Sequence, residues 1–415
     1  MMNTDTNQNI ASNGVKKVLI FSLAYFPKHV GGAEVSIKEI TDRIPDIEFH
    51  VLTNRFDSTL LKEEKIGNVI VHRIGITTAN PSMADLKKWP LALNKPLYQF
   101  LAAWHAARLH RKYHFDATWA MMAHSTGVPA ALFKMTHKNV PYILNLQEGD
   151  PISYIERKMC PLWPLFTRAF TKADIIQVLS TYLAGWARNR GYKGPIEIVP
   201  NAVNVAHFSQ SYTDSVINEM KDSLGKKLGD VFLITTSRLV QKNAVDDVIR
   251  ALPLVPENVH FIILGTGPDE VMLRALAEKL KVTDRVQFVG QVGHTDMPKY
   301  LKASDIFIRA SRSEGFGASF AEAMAAELPV IATQEGGIAD FLFDEKRNPD
   351  KPITGFAVDK DNPEQIAGAV KEIMNQREKV RAVVATAKAM VIEKYDWDII
   401  AKAMKENVLA KVLKI

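Results

Sequence analysis

DIFIRASRSEGFGASFAEAMAAELPVIAT, running from Asp305 to Thr333, contains a short apolar run, a glycine-rich turn, a helical stretch and a second apolar run. DIFIRA and PVIAT are short and rich in branched residues, as buried strands are, and the stretch between them reads as a helix. A strand, a helix and a second strand in that order form a βαβ unit, which requires parallel strands with helices on the faces of the sheet.

The same alternation extends outward in both directions. Upstream lie DVFLITT, HFIILG and RVQFVG, which complete one series of strands. An earlier series comprises KVLIFSL, FHVLT, VIVHRI, DATWAMM, PYILNL, DIIQVLS and EIVPN. Two parallel sheets interleaved with helices predict an α/β chain of two Rossmann-like halves. The segment Pro200 to Gly229 reads as the connection between them, and no repeat occurs at solenoid spacing. From Asp359 onward the pattern is almost entirely helical, ending in YDWDIIAKAMKENVLAKVL. The expected organisation is a disordered tail at 1–14, a first domain at 15–203 joined by a terminal helix at about 396–415, and a second domain at 204–395.

The length of 415 residues suits two domains, at a prior of roughly 150 residues each. A single cysteine, Cys160, excludes an intrachain disulfide and points to a reducing compartment, so a cytoplasmic location is expected. The opening MMNTDTNQNIASNG lacks the apolar core of a signal peptide, and the run Val18–Phe26 is too short to span a bilayer.

Charge is uneven: residues 1–200 hold 24 Lys and Arg against 16 Asp and Glu, and the remainder 28 against 30. Much of the excess lies between Asp85 and Phe115. There Lys87, Lys88, Lys95, Arg108, Arg111 and Lys112 face one acid and are interleaved with Trp89, Tyr98, Phe100 and Trp104. Two readings fit this stretch: an amphipathic surface helix whose aromatic residues face the core, which is favoured, or a segment lying on an anionic membrane surface. No nucleic-acid partner is expected.

Ligands of open parallel sheets collect at the carboxyl ends of the strands, which directs attention to the loops there. After the first strand, Gly31 and Gly32 precede a helix, so backbone N–H groups and the positive dipole end could face a phosphate; a tight turn is the plainer reading. After DVFLITT, Arg238 and Lys242 offer a planar fork and a compact cation suited to a diphosphate, although basic loop residues are more often simply solvated. In LGTGPDE, Gly265 and Gly267 let the backbone turn closely above the sheet, where it could border a nucleotide, and Pro268 suits the first turn of a helix.

In the stretch quoted first, Glu314 precedes the helix, and Glu322 lies about one turn inside it, where the dipole favours an ionised carboxylate. Such groups would repel a diphosphate but accept hydrogen bonds from sugar hydroxyls. Ser319 to Glu322 also fits the S-x-x-E capping box, which spacing alone favours for Glu322. His124 sits just past a strand end and is either structural or in contact with a reacting group. Glu148 and Asp150 occupy another strand end as turn residues or acceptor contacts.

SRLVQKNAVDDVIRAL, LGTGPD, VGQVGHTDMPKYLKASDIFIRASRSEGFGASFAEAMAAELPVIAT and GGIADFL resemble, in order and spacing, the family 4 retaining glycosyltransferases of the GT-B fold. GGAE, His124 and PNAVNVAHF extend that resemblance to nearly the whole chain. It implies an α/β fold of two Rossmann-like domains facing each other across a cleft, with a C-terminal helix crossing back to the first domain. It also implies an acceptor-binding first domain and a nucleotide-sugar-binding second one.

In the implied site, Glu314 lies near the donor sugar, Glu322 holds the ribose, and Arg238 and Lys242 grip the diphosphate, while His124, a matching position of the first half, could contact the transferred sugar or steer a proton. The backbone at Gly32 assists the diphosphate, that near Val292 meets the base, and Gly315, Phe316 and Gly317 form the turn at the donor, with Gly31 and Gly265 bordering it. The implied reaction is metal-independent, retaining transfer from a nucleotide-diphosphate sugar to a glycan or lipid-linked acceptor in cell-surface polysaccharide synthesis, with no permanently bound cofactor.

The implied location is the cytoplasm, extending to the inner face of the cell membrane. A nucleotide-sugar epimerase and an inactive sugar-nucleotide-binding subunit are the alternatives. The strings Asp359–Asp361 and Asp396–Asp398 imitate a metal motif but follow no core strand and read as surface helix or turn. The chain departs from the family pattern at Ala202, Asn204 and Glu327, the last replacing a glycine, and carries an extra polar stretch, DEKRNPDKP.

Overall fold

The computed structural model describes residues 14–28, 30–82 and 84–415. The polar opening 1–13, most of the expected tail, lies outside the described residues. Two compact units are present: one of Met1–Leu144, Lys172–Ile175 and Lys405–Ile415, the other of Asn145–Thr171 and Ile176–Met404.

The first eight strands are β1 (Lys16–Phe21), β2 (Ile47–Asn54), β3 (Glu63–Ile66), β4 (Val69–Ile74), β5 (Ala117–Met121), β6 (Tyr142–Leu146), β7 (Ile175–Val178) and β8 (Ile196–Ile198). They form one sheet in the order β3-β4-β2-β1-β5-β6-β7-β8. All seven expected runs are strands. The unexpected one is β3, sequence EEKI, which pairs antiparallel with β4 at the sheet edge. Its alternating, charged pattern keeps that edge from pairing with another chain. Central β1 is parallel to both β2 and β5, and Val18 to Phe21 are fully buried, as a strand covered on both faces requires.

The second sheet contains β9 (Val231–Thr236), β10 (Val259–Leu264), β11 (Val286–Gly290), β12 (Ile306–Arg309), β13 (Val330–Thr333) and β14 (Phe356–Val358). Its order is β11-β10-β9-β12-β13-β14, and every pairing is parallel. Chain direction across the sheet therefore reverses between β9 and β12, so the loops leaving those strands diverge and open a crevice. The same reversal occurs in the first sheet between β1 and β5. Leu233, Phe261, Ile263, Ile308 and Ile331 join the helices in the second core, each contributing about 1.5–3 kcal/mol by burial.

Two helices of the first unit bear on function: α1 (Gly32–Asp42) and α2 (Asn94–Tyr113). The favoured expectation for α2 is corrected. Tyr98 does face the core and donates its hydroxyl to Leu52 O at 2.6 Å, but Trp89, Phe100 and Trp104 are 82%, 51% and 56% exposed. The core side of α2 is instead made of Asn94, Tyr98, Gln99, Ala102 and Ala106, leaving the aromatic stripe on the opposite face.

Glu327 follows the helix Ala318–Ala325 with φ +66°, a left-handed conformation that favours glycine. Its carboxylate pairs with Lys388 at 2.8 Å and Lys302 at 2.9 Å, and those hydrogen bonds hold its pKa down to about 2. The two lysines offset the strain that glycine would avoid. At the C-terminus Lys405 pairs with Asp46 at 2.7 Å, so the last residues complete the first unit.

Candidate functional site

The second unit gathers its charged residues where β9 and β12 part. Beyond β9, Arg238 is exposed, and its guanidinium makes no hydrogen bond or ion pair among the described residues. Lys242 is held 2.8 Å from Gly149 O and 3.1 Å from the Asp150 carboxylate. Arg238, Lys242, Asp150, Tyr154, Arg309 and Glu314 line a common cavity of about 590 Å³. Beside it, the hydroxyls of Thr236 and Ser237 are buried without a hydrogen-bond partner among the described residues.

Glycines fix the shape of this region. Gly265 has φ +140°, and a Cβ there would lie 1.9 Å from Ser237 O; one on Gly267 would lie 2.1 Å from Leu239 O. The loop after β10 is thus packed backbone to backbone beneath the Arg238 loop, joined by Ser237 N to Leu264 O at 2.9 Å and Leu239 N to Thr266 O at 3.0 Å. The role visible for Gly265 and Gly267 is support of the Arg238 loop.

Arg312 ties the two divergent loops together. Its side chain donates to Gln241 O and to Asp246, Asp247 and Asp361, while its own N–H meets Lys242 O at 2.7 Å. Burial opposes its charge, but hydrogen bonds to Asp246 and Asp361 outweigh that and raise its pKa. Burial, reinforced by the charge of Asp246, pushes Asp247 up to about 6. Asp361 is thereby occupied in an ion pair, and Asp396 caps the helix Trp397–Ala403 by accepting from Asp398 N, so both D-x-D strings have structural tasks. Among the described residues no group of three His, Cys, Asp or Glu side chains is placed to hold a metal ion.

Glu314 lies in the loop before the helix, as expected, and forms an ion pair with Arg309, a residue that the sequence reading missed. Arg309 ends β12 at 7% exposure, donates to Ser311 at 3.0 Å and Ser319 at 2.9 Å, and stacks over Phe320 at 4.6 Å. An arginine at the end of an apolar strand was the available signal, because a buried guanidinium needs an acid partner.

The capping-box reading of Glu322 is corrected. Gly317, at φ +88°, is the N-cap of the helix Ala318–Ala325, and the Ser319 hydroxyl accepts from Arg309. Glu322 instead has His294 at 3.6 Å. His294 follows Val292 in the loop after β11 and is stacked on His207, ring centroids 5.2 Å apart. Gly315 packs against the 147–148 backbone, where a Cβ would lie 2.5 Å from Glu148 O. The Phe316 ring is buried against Phe341 and Tyr395, so this residue can offer a ligand only its backbone. Burial pushes the Tyr395 hydroxyl up to about 12.

The remaining candidates lie in the first unit, at the reversal between β1 and β5. Gly31 caps α1, but its N–H is already taken by the Glu34 carboxylate at 2.7 Å, which corrects the expectation of a vacant donor there. Burial raises the pKa of Glu34. Gly32 opens the helix with open space where a Cβ would stand. His124 follows β5 in a single wide turn, Ala123–Gly127, after Met122 at φ +70°, and its Nε2 lies 3.0 Å from Ser125 Oγ.

Comparison with known proteins gives two family matches: Glycosyltransferase Family 4 over residues 30–207 and Glycosyl transferases group 1 over residues 216–390. A GDP-mannose-dependent alpha-(1-6)-phosphatidylinositol monomannoside mannosyltransferase of Mycobacterium tuberculosis is 29% identical over 56% of this chain and 61% of its own length. The alpha-monoglucosyldiacylglycerol synthase of Acholeplasma laidlawii is 29% identical over 37% of this chain and 40% of its own. These matches thus span about two-fifths to three-fifths of the relatives' length.

Among solved structures, Anabaena HepE in complex with UDP and glucose has a TM-score of 0.73 at 19% identity, covering 95% of this chain and 100% of that one. Sucrose-phosphate synthase from Thermosynechococcus elongatus has a TM-score of 0.78 at 16% identity, covering 96% and 100%. Both likenesses concern the fold.

Proposed function

Because the chain belongs to the group 1 glycosyltransferases of family 4, we propose that it transfers a hexose from a nucleotide-diphosphate sugar to a glycan or lipid-linked acceptor, with retention at the anomeric carbon and without a metal. The observation that carries this reading is the guanidinium of Arg238, without a partner among the described residues, on the cavity that also holds Lys242 and Glu314. With Lys242 paired to Asp150 and Arg309 to Glu314, the Arg238 charge is left over, and basic groups beside carboxylates suit a ligand that is anionic at one end and hydroxylated at the other.

In the proposed reaction the bond from the anomeric carbon to the phosphate oxygen breaks, and the acceptor oxygen bonds to the same face while its proton passes to the departing phosphate. Arg238 and Lys242 neutralise the charge growing on that phosphate, stabilisation aimed at the transition state. Glu314, oriented by Arg309, accepts hydrogen bonds from the donor sugar. Glu322, one turn inside its helix, accepts from the ribose hydroxyls, and the backbone near Val292 meets the base. Gly315, Phe316 and Gly317 offer backbone at the donor, with Gly265 bordering it.

From the first domain, taken as 15–203 with the terminal helix, Gly32 would assist the diphosphate and His124 would contact the transferred sugar. Residues 204–395 would form the donor domain. The lipid acceptors named for the mycobacterial and Acholeplasma relatives support a lipid-linked acceptor, and cell-surface polysaccharide synthesis at the cytoplasmic face of the membrane belongs to the same proposal.

A panel of uridine and guanosine diphosphate sugars tests the reading. Release of nucleoside diphosphate, strongly reduced by Lys242→Ala, is expected. An altered nucleotide sugar without release would indicate an epimerase, and binding without turnover an inactive subunit.

A further inference from the structure

The exposed side of α2 is a continuous ridge. Leu93, Leu97, Phe100, Leu101 and Trp104 recur at intervals of three and four residues, which places them on one helix face, and each is at least 40% exposed. The same stripe continues into Arg108 and Arg111, both exposed, and the Arg108 guanidinium lies 4.9 Å over the Trp104 ring. At the other end Trp89, 82% exposed, follows Lys87 and Lys88. An apolar row of this length bounded by cations is not explained by packing, because the opposite face of α2 already supplies the core contacts.

Charge selects the occupant. From Asp85 to Tyr113 the only acid is Asp85, already paired with Lys88 at 2.8 Å. A second copy meeting this ridge across a two-fold axis would bring cations against their own counterparts. A bilayer with anionic headgroups complements both features, receiving the apolar side chains at the acyl boundary and the cations at the phosphate level. No helix among the described residues is long and apolar enough to cross a membrane, so the geometry is that of an element lying in the interface.

We propose that the ridge Leu93–Trp104, with Trp89 and the cations at its two ends, seats the protein on an anionic lipid bilayer. This deepens the reading above, resting on its lipid-linked acceptor: the acceptor then reaches the protein from the surface on which the first unit sits. Apolar insertion and charge attraction act together, since either signal alone gives weak, reversible binding.

The test is flotation of the full chain with phosphatidylcholine vesicles, with and without phosphatidylglycerol, at low and high salt. The expected result is binding to the anionic vesicles, weakened by salt, with a blue-shifted tryptophan emission. Phe100→Ser/Trp104→Ser and Arg108→Ser/Arg111→Ser should each lower the bound fraction by about tenfold or more. Both should leave nucleoside diphosphate binding in solution unchanged, which also shows that the variants fold.

Absence of flotation at low salt, or equal flotation of both variants, overturns the proposal. So does a concentration-dependent dimer, or a complex with an acidic protein, that accounts for the ridge while vesicles do not. Vesicle binding without turnover of any donor would instead contradict the transferase reading and leave the membrane seat standing.

Discussion

Removing Arg309 is the sharpest perturbation of the site. In Arg309→Met the Glu314 carboxylate keeps the Gly315 N–H at 3.1 Å but loses its ion-pair partner, while the Ser311 and Ser319 hydroxyls each lose a donor. The pair is 8% and 14% exposed at its side chains, so water replaces little of what is lost. Breaking such a pair from one side costs about 3–5 kcal/mol, because a buried charge remains uncompensated.

Glu314→Gln strands the guanidinium in turn and should cost a comparable amount. The double variant removes both charges, so its cost should fall short of the sum by about 2 kcal/mol or more. Urea unfolding followed by circular dichroism measures all three. If the two single costs add within about 0.5 kcal/mol, Arg309 and Glu314 act independently and the positioning role is wrong. In turnover, Arg309→Met should lose about a hundredfold in kcat/KM, the scale of a displaced catalytic group.

Further expectations concern the supports of the site and the first sheet. Gly267→Ala drives a Cβ into the Leu239 backbone and should destabilise by about 1–3 kcal/mol while weakening nucleotide binding through the Arg238 loop; an unaffected nucleotide affinity would contradict the support role. Glu322→Gln should unfold like the parent but bind ribonucleotides about tenfold more weakly, with little change for 2′,3′-dideoxy analogues; equal losses for both would exclude a ribose contact. His72 is stacked on His50, with His50 Nδ1 2.9 Å from His72 Nε2, and burial followed by the charge of His50 lowers its pKa from 6.5 to about 4. Between those values the unfolded chain binds more protons, so stability is full above pH 6.5 and is lost as pH falls toward 4. His72→Gln should flatten that slope of the urea midpoint, and an unchanged slope would assign it to other groups.

The strands were legible because buried parallel strands must be nearly all apolar, and every such run proved to be one. Glu63–Ile66 escaped because a charged edge strand resembles a loop, and Phe356–Val358 because three residues carry too little pattern. Arg238, Lys242 and Glu314 could be placed at strand ends from sequence, since loop position follows directly from the alternation of elements.

What sequence could not supply were partners distant along the chain or choices between faces. Arg309 closes a run whose apolar pattern already accounts for a strand. The Ser319 hydroxyl was assigned to a cap because spacing cannot show that Gly317 turns left-handed first. The aromatic residues of α2 were assigned to the core because composition favours burial, although the helix had a second, smaller-residue face to bury.

Direct titration of UDP and GDP tests the central claim most closely, using the parent chain, Arg238→Ala and Lys242→Ala. The account predicts that the parent binds at least one of the two, and that each variant weakens that binding by about tenfold or more, while the corresponding nucleoside, lacking phosphates, binds all three proteins equally. Undiminished nucleoside diphosphate affinity in both variants would contradict the assignment of this cavity to the departing phosphate.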